Sequence, residues 1–228
     1  MVNEDLLNVD PPIRTPVIAV YRDSFTDQTG ARRSNSQFAT FSTAITQAPH
    51  AYLIRALQHA GKNNDGFFSV VERVGLDHVT KERQLIRSTR ESFEENQKLP
   101  PLVFAGLIME GGVIGYESNT TSGGAGARYL GIGTSKAYRR DTVQVSLRTV
   151  SVTTGKVLME VLVSKTILSA SLDNDVFRFV ADSTELVEVE GGVVRNESVN
   201  IALQAAIETA VLQTIEEGVS YGYWTVRR

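Results

Sequence analysis

Between residues 110 and 194 the chain carries two stretches that read as amphipathic β-hairpins, too long and too exposed for a compact soluble domain. The first runs EGGVIGYESNTTSGGAGARYLGIGTSKAYRRDTVQVSLRTVSV and the second KTILSASLDNDVFRFVADSTELVEVEGGVV. In the second, Leu186, Val187, Glu188, Val189 and Glu190 alternate with period two, which puts both carboxylates on one face of a strand and both valines on the other. Ser171, Asp173 and Asp175 alternate with Leu172 and Val176 ahead of a turn that the pattern places at 180–182, beside Phe177 and Phe179. An apolar outer face, a polar inner face and aromatics near an edge are what a transmembrane β-barrel strand requires.

Two hairpins supply four strands, whereas the smallest closed membrane barrels need about eight. Open strand edges cannot lie in lipid, where each unpaired backbone group costs several kcal/mol. Hairpins of this kind therefore enter a membrane only if several copies of the chain contribute them to one barrel.

The rest of the composition narrows the alternatives. The 228 residues are 42% hydrophobic, enough to bury a core, and the net charge of −3 offers no basic excess for nucleic acid. No cysteine is present, which excludes disulfides, thiol catalysis and cysteine-based zinc sites. No apolar run approaches the roughly 20 residues of a spanning helix, so membrane contact is left to strands or to a lipid. The Gly-rich run 123–133 contains no GxxxxGK[ST], and no GxGxxG opens a helix there. His50, His59 and His78 lack HExxH spacing, and no serine sits in a GxSxG elbow. The reading is accordingly a non-enzyme with no cofactor and no metal.

In chain order, residues 1–16 are polar, with Pro11 and Pro12 discouraging regular structure, and read as an N-terminal arm over a neighbouring subunit. Residues 17–228 form one domain. A strand is predicted at 17–21. The stretch 27–44 is a loop of small polar residues holding Phe38 and Phe41, which on the residues alone pack beneath it as a satellite cluster. Leu53, Ala56, Leu57 and Ala60 predict a helix over 46–60 ended by Gly61. A strand follows at 67–71, then a helix over 75–90 with a solvated charged face, then a polar connector to Pro101. A short helical turn within 102–109 precedes a strand at 111–117. Strands at 143–152 and 156–163 make a soluble hairpin around 153–155. The final helix spans 199–217, burying Leu203, Ile207, Val211 and Ile215, with Gly218 closing it and Tyr221, Tyr223 and Trp224 packing behind it.

The run GYESNTTSGGAGARYLGIG (115–133), with SKTILS (164–169), VFRF (176–179) and AIET (206–209), closely resembles the CsgG family of outer-membrane curli secretion channels. The resemblance is collinear from residue 17 to residue 224. It implies an α+β fold: a periplasmic α/β domain with two amphipathic β-hairpins per subunit, inserted at 119–141 and 168–195, that form a shared oligomeric transmembrane β-barrel. It implies a nonameric lipoprotein ring in outer-membrane lipid that exports unfolded curli subunits without ATP, with a periplasmic accessory factor capping the channel. It makes 27–44 the constriction loop, where family members carry a tyrosine, an asparagine and a phenylalanine. Phe41 matches the phenylalanine through the shared FSTA, and Thr40 stands where the asparagine is expected. The tyrosine has no counterpart, its place falling near Ser36 or Gln37, with Phe38 beside them.

The barrel lumen is assigned Ser135, Ser171, Asp173, Glu188 and Glu190. In the first hairpin Lys136, Arg139 and Arg140 interrupt the alternation, so the pattern leaves open which of its faces meets lipid. Family members are acylated on their first mature cysteine, whereas Met1 opens a polar tail here. The expectation is that signal peptide and cysteine were removed from this chain. The alternative is a periplasmic interaction lipoprotein that docks on cell-envelope enzymes, which accounts for the core but not for the amphipathic inserts.

Overall fold

A computed structural model describes residues 3–31, 45–93, 97–122, 137–172, 176–181 and 197–227. It is a mixed α/β structure built on one sheet. The elements are α1 (Glu4–Leu7), β1 (Val17–Ala19), β2 (Phe25–Asp27), α2 (Pro49–His59), β3 (Ser69–Val71), α3 (Leu76–Ser92), β4 (Leu107–Ser122), β5 (Ala137–Ser151), β6 (Val157–Leu172), β7 (Val176–Ala181) and α4 (Glu197–Ser220). The sheet order is β3-β1-β4-β5-β6-β7, with β2 also pairing β4. β1 runs parallel to β3 and β4, and β2 runs parallel to β4. β4 through β7 form an antiparallel meander.

The core follows from alternation in the meander. Val143, Val145 and Leu147 of β5 and Met159, Val161 and Val163 of β6 are buried on one face. They pack against α4, which also contacts helices α1 and α2. Leu203, Ile207, Val211 and Ile215 are buried on α4, as its spacing predicts, and Leu53, Ala56 and Leu57 are buried on α2. Pro49 opens α2, a position where its missing N–H costs nothing.

Several expectations change. Residues 3–13 pack on the body of their own chain and are ordered despite the two prolines. Asn3 caps α1 by accepting from the Asp5 N–H, and Leu6 is fully buried in the core. The Leu6 and Leu7 carbonyls accept from the N–H groups of Gly61 and Asn63, 2.8 and 3.1 Å away. Pro12 bridges to Val226 near the other end of the chain. Two prolines did not prevent order, because the apolar residue that matters precedes them.

No helical turn precedes β4, which begins at Leu107 and is longer than predicted at both ends. In the second hairpin Leu172 lies opposite Val176 and Leu168 opposite Val180, so the chain reverses between 172 and 176 rather than at 180–182. α4 does not stop at Gly218. It ends in a Schellman motif on Gly222, whose φ of 75° suits glycine: the Gly222 N–H reaches Val219 O at 3.1 Å and the Tyr223 N–H reaches Gly218 O at 2.8 Å. Trp224 packs behind the helix as predicted, edge-on to Phe67 and Phe68, whereas Tyr221 and Tyr223 are 62% and 47% exposed.

α3 buries no residue. It lies along the stretch before β4, with the Arg83 and Arg90 guanidiniums donating to the Pro100 and Gln97 carbonyls at 2.6 and 2.7 Å.

Candidate functional site

The two features that carry the sequence reading, the hairpins and the loop 27–44, start from one region of the sheet. β4 takes β2 on one side and β5 on the other. Gly111 and Gly112 sit there with φ of 147° and 157°. A Cβ on Gly111 would overlap the Ser146 carbonyl, and one on Gly112 the Thr26 carbonyl. Immediately beyond, the register shifts between Val113 and Gly115, a β-bulge that leaves Ile114 exposed where β4 departs toward the first hairpin.

The loop leaves and returns beside that bulge. On the departing side the Gln28 N–H donates to Val113 O at 2.9 Å, and the Gln28 amide donates to Gly111 O at 3.1 Å. Asp27 then gathers the feet. Its Oδ1 accepts from the Thr29 N–H at 3.0 Å and the Thr29 hydroxyl at 2.7 Å, and its Oδ2 accepts from the Gln47 amide on the returning side at 3.4 Å. Ile45, next to Gln47, is buried. Asp27 is thus the residue that fastens both ends of the loop, and the sequence reading missed it. The Asp-Gln-Thr-Gly signature of an Asx turn was the available signal.

The base of the hairpins is polar across the strands. The Tyr116 hydroxyl donates to Asp141 Oδ1 at 3.2 Å, with Asp141 fully buried, and the Thr142 and Thr166 hydroxyls are 3.0 Å apart. Gln28, Thr29, Gly115, Tyr116, Thr142 and Gln144 line a shallow open depression of about 300 Å³ joining the loop's foot to the hairpin base. Such a depression is a seam between elements rather than an enclosed ligand pocket. Among the described residues no cluster of three histidine, cysteine, aspartate or glutamate side chains is placed to hold a metal ion, and no helix is long and apolar enough to cross a membrane.

Of the residues assigned by sequence, Ser36, Gln37, Phe38, Thr40, Phe41, Ser135, Asp173, Glu188 and Glu190 lie outside the described residues. Ser171 is placed by its backbone, in β6 opposite Phe177 of β7.

The family model for the curli production assembly/transport component CsgG matches residues 2–228. The chain belongs to the CsgG family. Its CsgG-family relatives include proteins of Escherichia coli (strain K12), Salmonella typhimurium (strain LT2) and Citrobacter koseri, each described as a curli production assembly/transport component CsgG. Each is 39% identical to this chain over 228 aligned residues, covering 98% of the chain and 79% of the relative. The family resemblance read from 115–133 and the three shorter motifs therefore extends over essentially the whole of this chain.

Proposed function

We propose that this chain is an outer-membrane secretion channel that exports unfolded curli subunits through a β-barrel shared by a ring of copies, nine in the family's pattern. The observation that carries the reading is the length of the meander. β4 and β6 have 16 residues each and β5 has 15. At about 3.3 Å per residue a 16-residue strand reaches roughly 53 Å, while the 24 residues of α4 span only about 36 Å. The strands outrun the helix that covers them. What leaves the covered sheet is one continuous meander of four strands, β4 to β7, which are too few to close alone.

A ring needs a different surface on each flank of the subunit. β3 is one terminal strand of the sheet, and residues 157–166 of β6 have no strand partner on their outer side among the described residues. These two free edges suit head-to-tail assembly in the periplasm, where pairing would also remove an aggregation hazard. Glu188, Glu190, Ser171, Asp173 and Ser135 face the lumen in this reading, and outer-membrane lipid meets the alternating apolar residues. A periplasmic accessory factor closes the mouth. Transport is diffusive and needs neither a nucleotide nor catalysis, biased by capture of the subunits outside.

The loop held by Asp27 supplies the constriction. Repeated around the ring, Phe41 becomes an apolar collar and Thr40 a wetted one, with Ser36, Gln37 and Phe38 beside them. A collar of aromatic faces narrows the path yet gives an unfolded chain sliding contacts without sequence preference. Phe41→Ala is expected to raise single-channel current in planar bilayers. Phe38→Ala, if that ring packs within the subunit, is expected to cost about 3 to 5 kcal/mol of stability and leave the current alone. Unchanged current from assembled Phe41→Ala rings would place the constriction elsewhere.

A further inference from the structure

α2 carries a histidine in its first turn and another in its last, and the two share an unusual setting. The Nδ1 atoms of His50 and His59 are sealed from solvent and have no hydrogen-bond partner. A neutral imidazole tolerates this by leaving that nitrogen unprotonated. A protonated one cannot, because it places an N–H donor where no acceptor exists, and an unmet buried donor costs about 1 to 3 kcal/mol. His50 also stands at the positive end of the helix dipole, which opposes a second positive charge.

We propose that α2 is an acid-released element: its docking requires neutral imidazoles at both ends, and protonation loosens the foot at Ile45–Pro49 and the seat of the N-terminal segment on 60–64. These are the two structures that α2 joins. Ile45 and Gln47 lead into its first turn, and Gly61 and Asn63 beyond its last turn bond the Leu6 and Leu7 carbonyls.

The surrounding charges agree with the geometry. Burial and then the Arg22 guanidinium, from the turn before β2, hold the His50 pKa below its usual 6.5. β3 presents no ionisable side chain, and the one carboxylate of β2, Asp27, is engaged by Thr29 and Gln47. Burial followed by Lys62 and Arg55 lowers the pKa of His59, while Glu208 on α4 opposes them without prevailing. Glu208 itself accepts from the Asn3 N–H at 2.9 Å and the Gln204 amide at 2.8 Å.

The direction of the pH effect follows. Well above 6.5 the imidazoles are neutral whether the chain is folded or unfolded, and nothing is lost. As the pH falls below 6.5, the unfolded chain binds protons that the folded chain refuses. Stability therefore decreases, and it levels off only below the folded pKa. Each histidine contributes at most about a tenfold rise in the unfolding constant per pH unit across that window.

The test uses the whole 228-residue chain. Imidazole titration by NMR, assigned with His50→Gln and His59→Gln, is expected to give both a pKa below 6.5. Urea unfolding between about pH 7.5 and about pH 5.5 is expected to show an acid loss that the double variant largely removes. His50 titrating at 6.5 or above in the unaltered protein overturns the proposal. So does a double variant that loses stability with acid as steeply as the parent chain.

Discussion

Removal of residues 171–191 is expected to abolish conductance in planar bilayers while leaving a folded α/β domain. The deletion takes the end of β6, all of β7 and the alternating Leu186–Glu190 stretch, and leaves in place every core residue found among the described residues. Val143, Val145, Val161, Leu203 and Ile207 keep their neighbours, so the far-UV circular dichroism and a cooperative melt should survive. Each subunit, however, would retain only β4, β5 and β6 as far as Ala170, and would lack the closing strand β7. Successive subunits would no longer meet edge to edge, and unpaired strand backbone in lipid costs several kcal/mol per group. No assembled pore is then available at any concentration. Pores of unaltered conductance from this variant would exclude the second hairpin from the barrel.

Gly218→Ala is expected to destabilise the domain by about 3 kcal/mol, against the sign that helix propensity alone dictates. Inside a helix, alanine is usually better than glycine by about 1 kcal/mol. Here a Cβ would overlap the indole ring of Trp224. That ring has little freedom to retreat. Its Nε1–H donates to the Ile215 carbonyl at 2.9 Å, and its edges meet Phe67 and Phe68 at centroid distances of 5.8 and 6.0 Å. Trp224→Ala should cost about 3 to 5 kcal/mol by opening the same place as a cavity. In the double variant Gly218→Ala/Trp224→Ala the clash term disappears, so the combined loss should be smaller than the sum of the two. Urea unfolding of all three variants decides this. A Gly218→Ala protein as stable as its parent would mean that Trp224 is not held against the helix.

What was readable beforehand follows from which contacts are local. The spacing of Leu53, Ala56 and Leu57, and of Leu203, Ile207, Val211 and Ile215, announced helices because one face of each is buried along its length. The alternation from Val143 to Leu147 and from Met159 to Val163 announced strands for the same reason. Leu6 escaped because a single apolar anchor in a polar segment has no period. Only Asn3 followed by Glu4 and Asp5 hinted at a capped turn. Gly218 read as a helix stop because its true cause, the Trp224 ring, is a tertiary contact invisible to local rules. Tyr221 and Tyr223 read as core because an aromatic after a helix does not declare which way it points.

In the candidate site, Gly111 and Gly112 were visible as residues, but their purpose depends on β2 and β5 closing from either side. Asp27 likewise acquires its role only when Gln47 is brought back to it. The family resemblance reached further than the periodicity did. The shared FSTA and the run 115–133 point to a constriction and to hairpins that alternation alone left partly open, most of all at Lys136, Arg139 and Arg140.

The central claim is that copies of this chain close one barrel between them, and the mass of the detergent-extracted assembly tests it most directly. Each chain is 25.0 kDa, and nine copies give a ring of about 225 kDa before bound detergent, since four strands per subunit demand several subunits for closure. Light scattering with detergent correction, together with single-particle images, should show one ring species with a central hole. A detergent-soluble monomer or dimer as the largest species, with no ring in the images, would contradict the account.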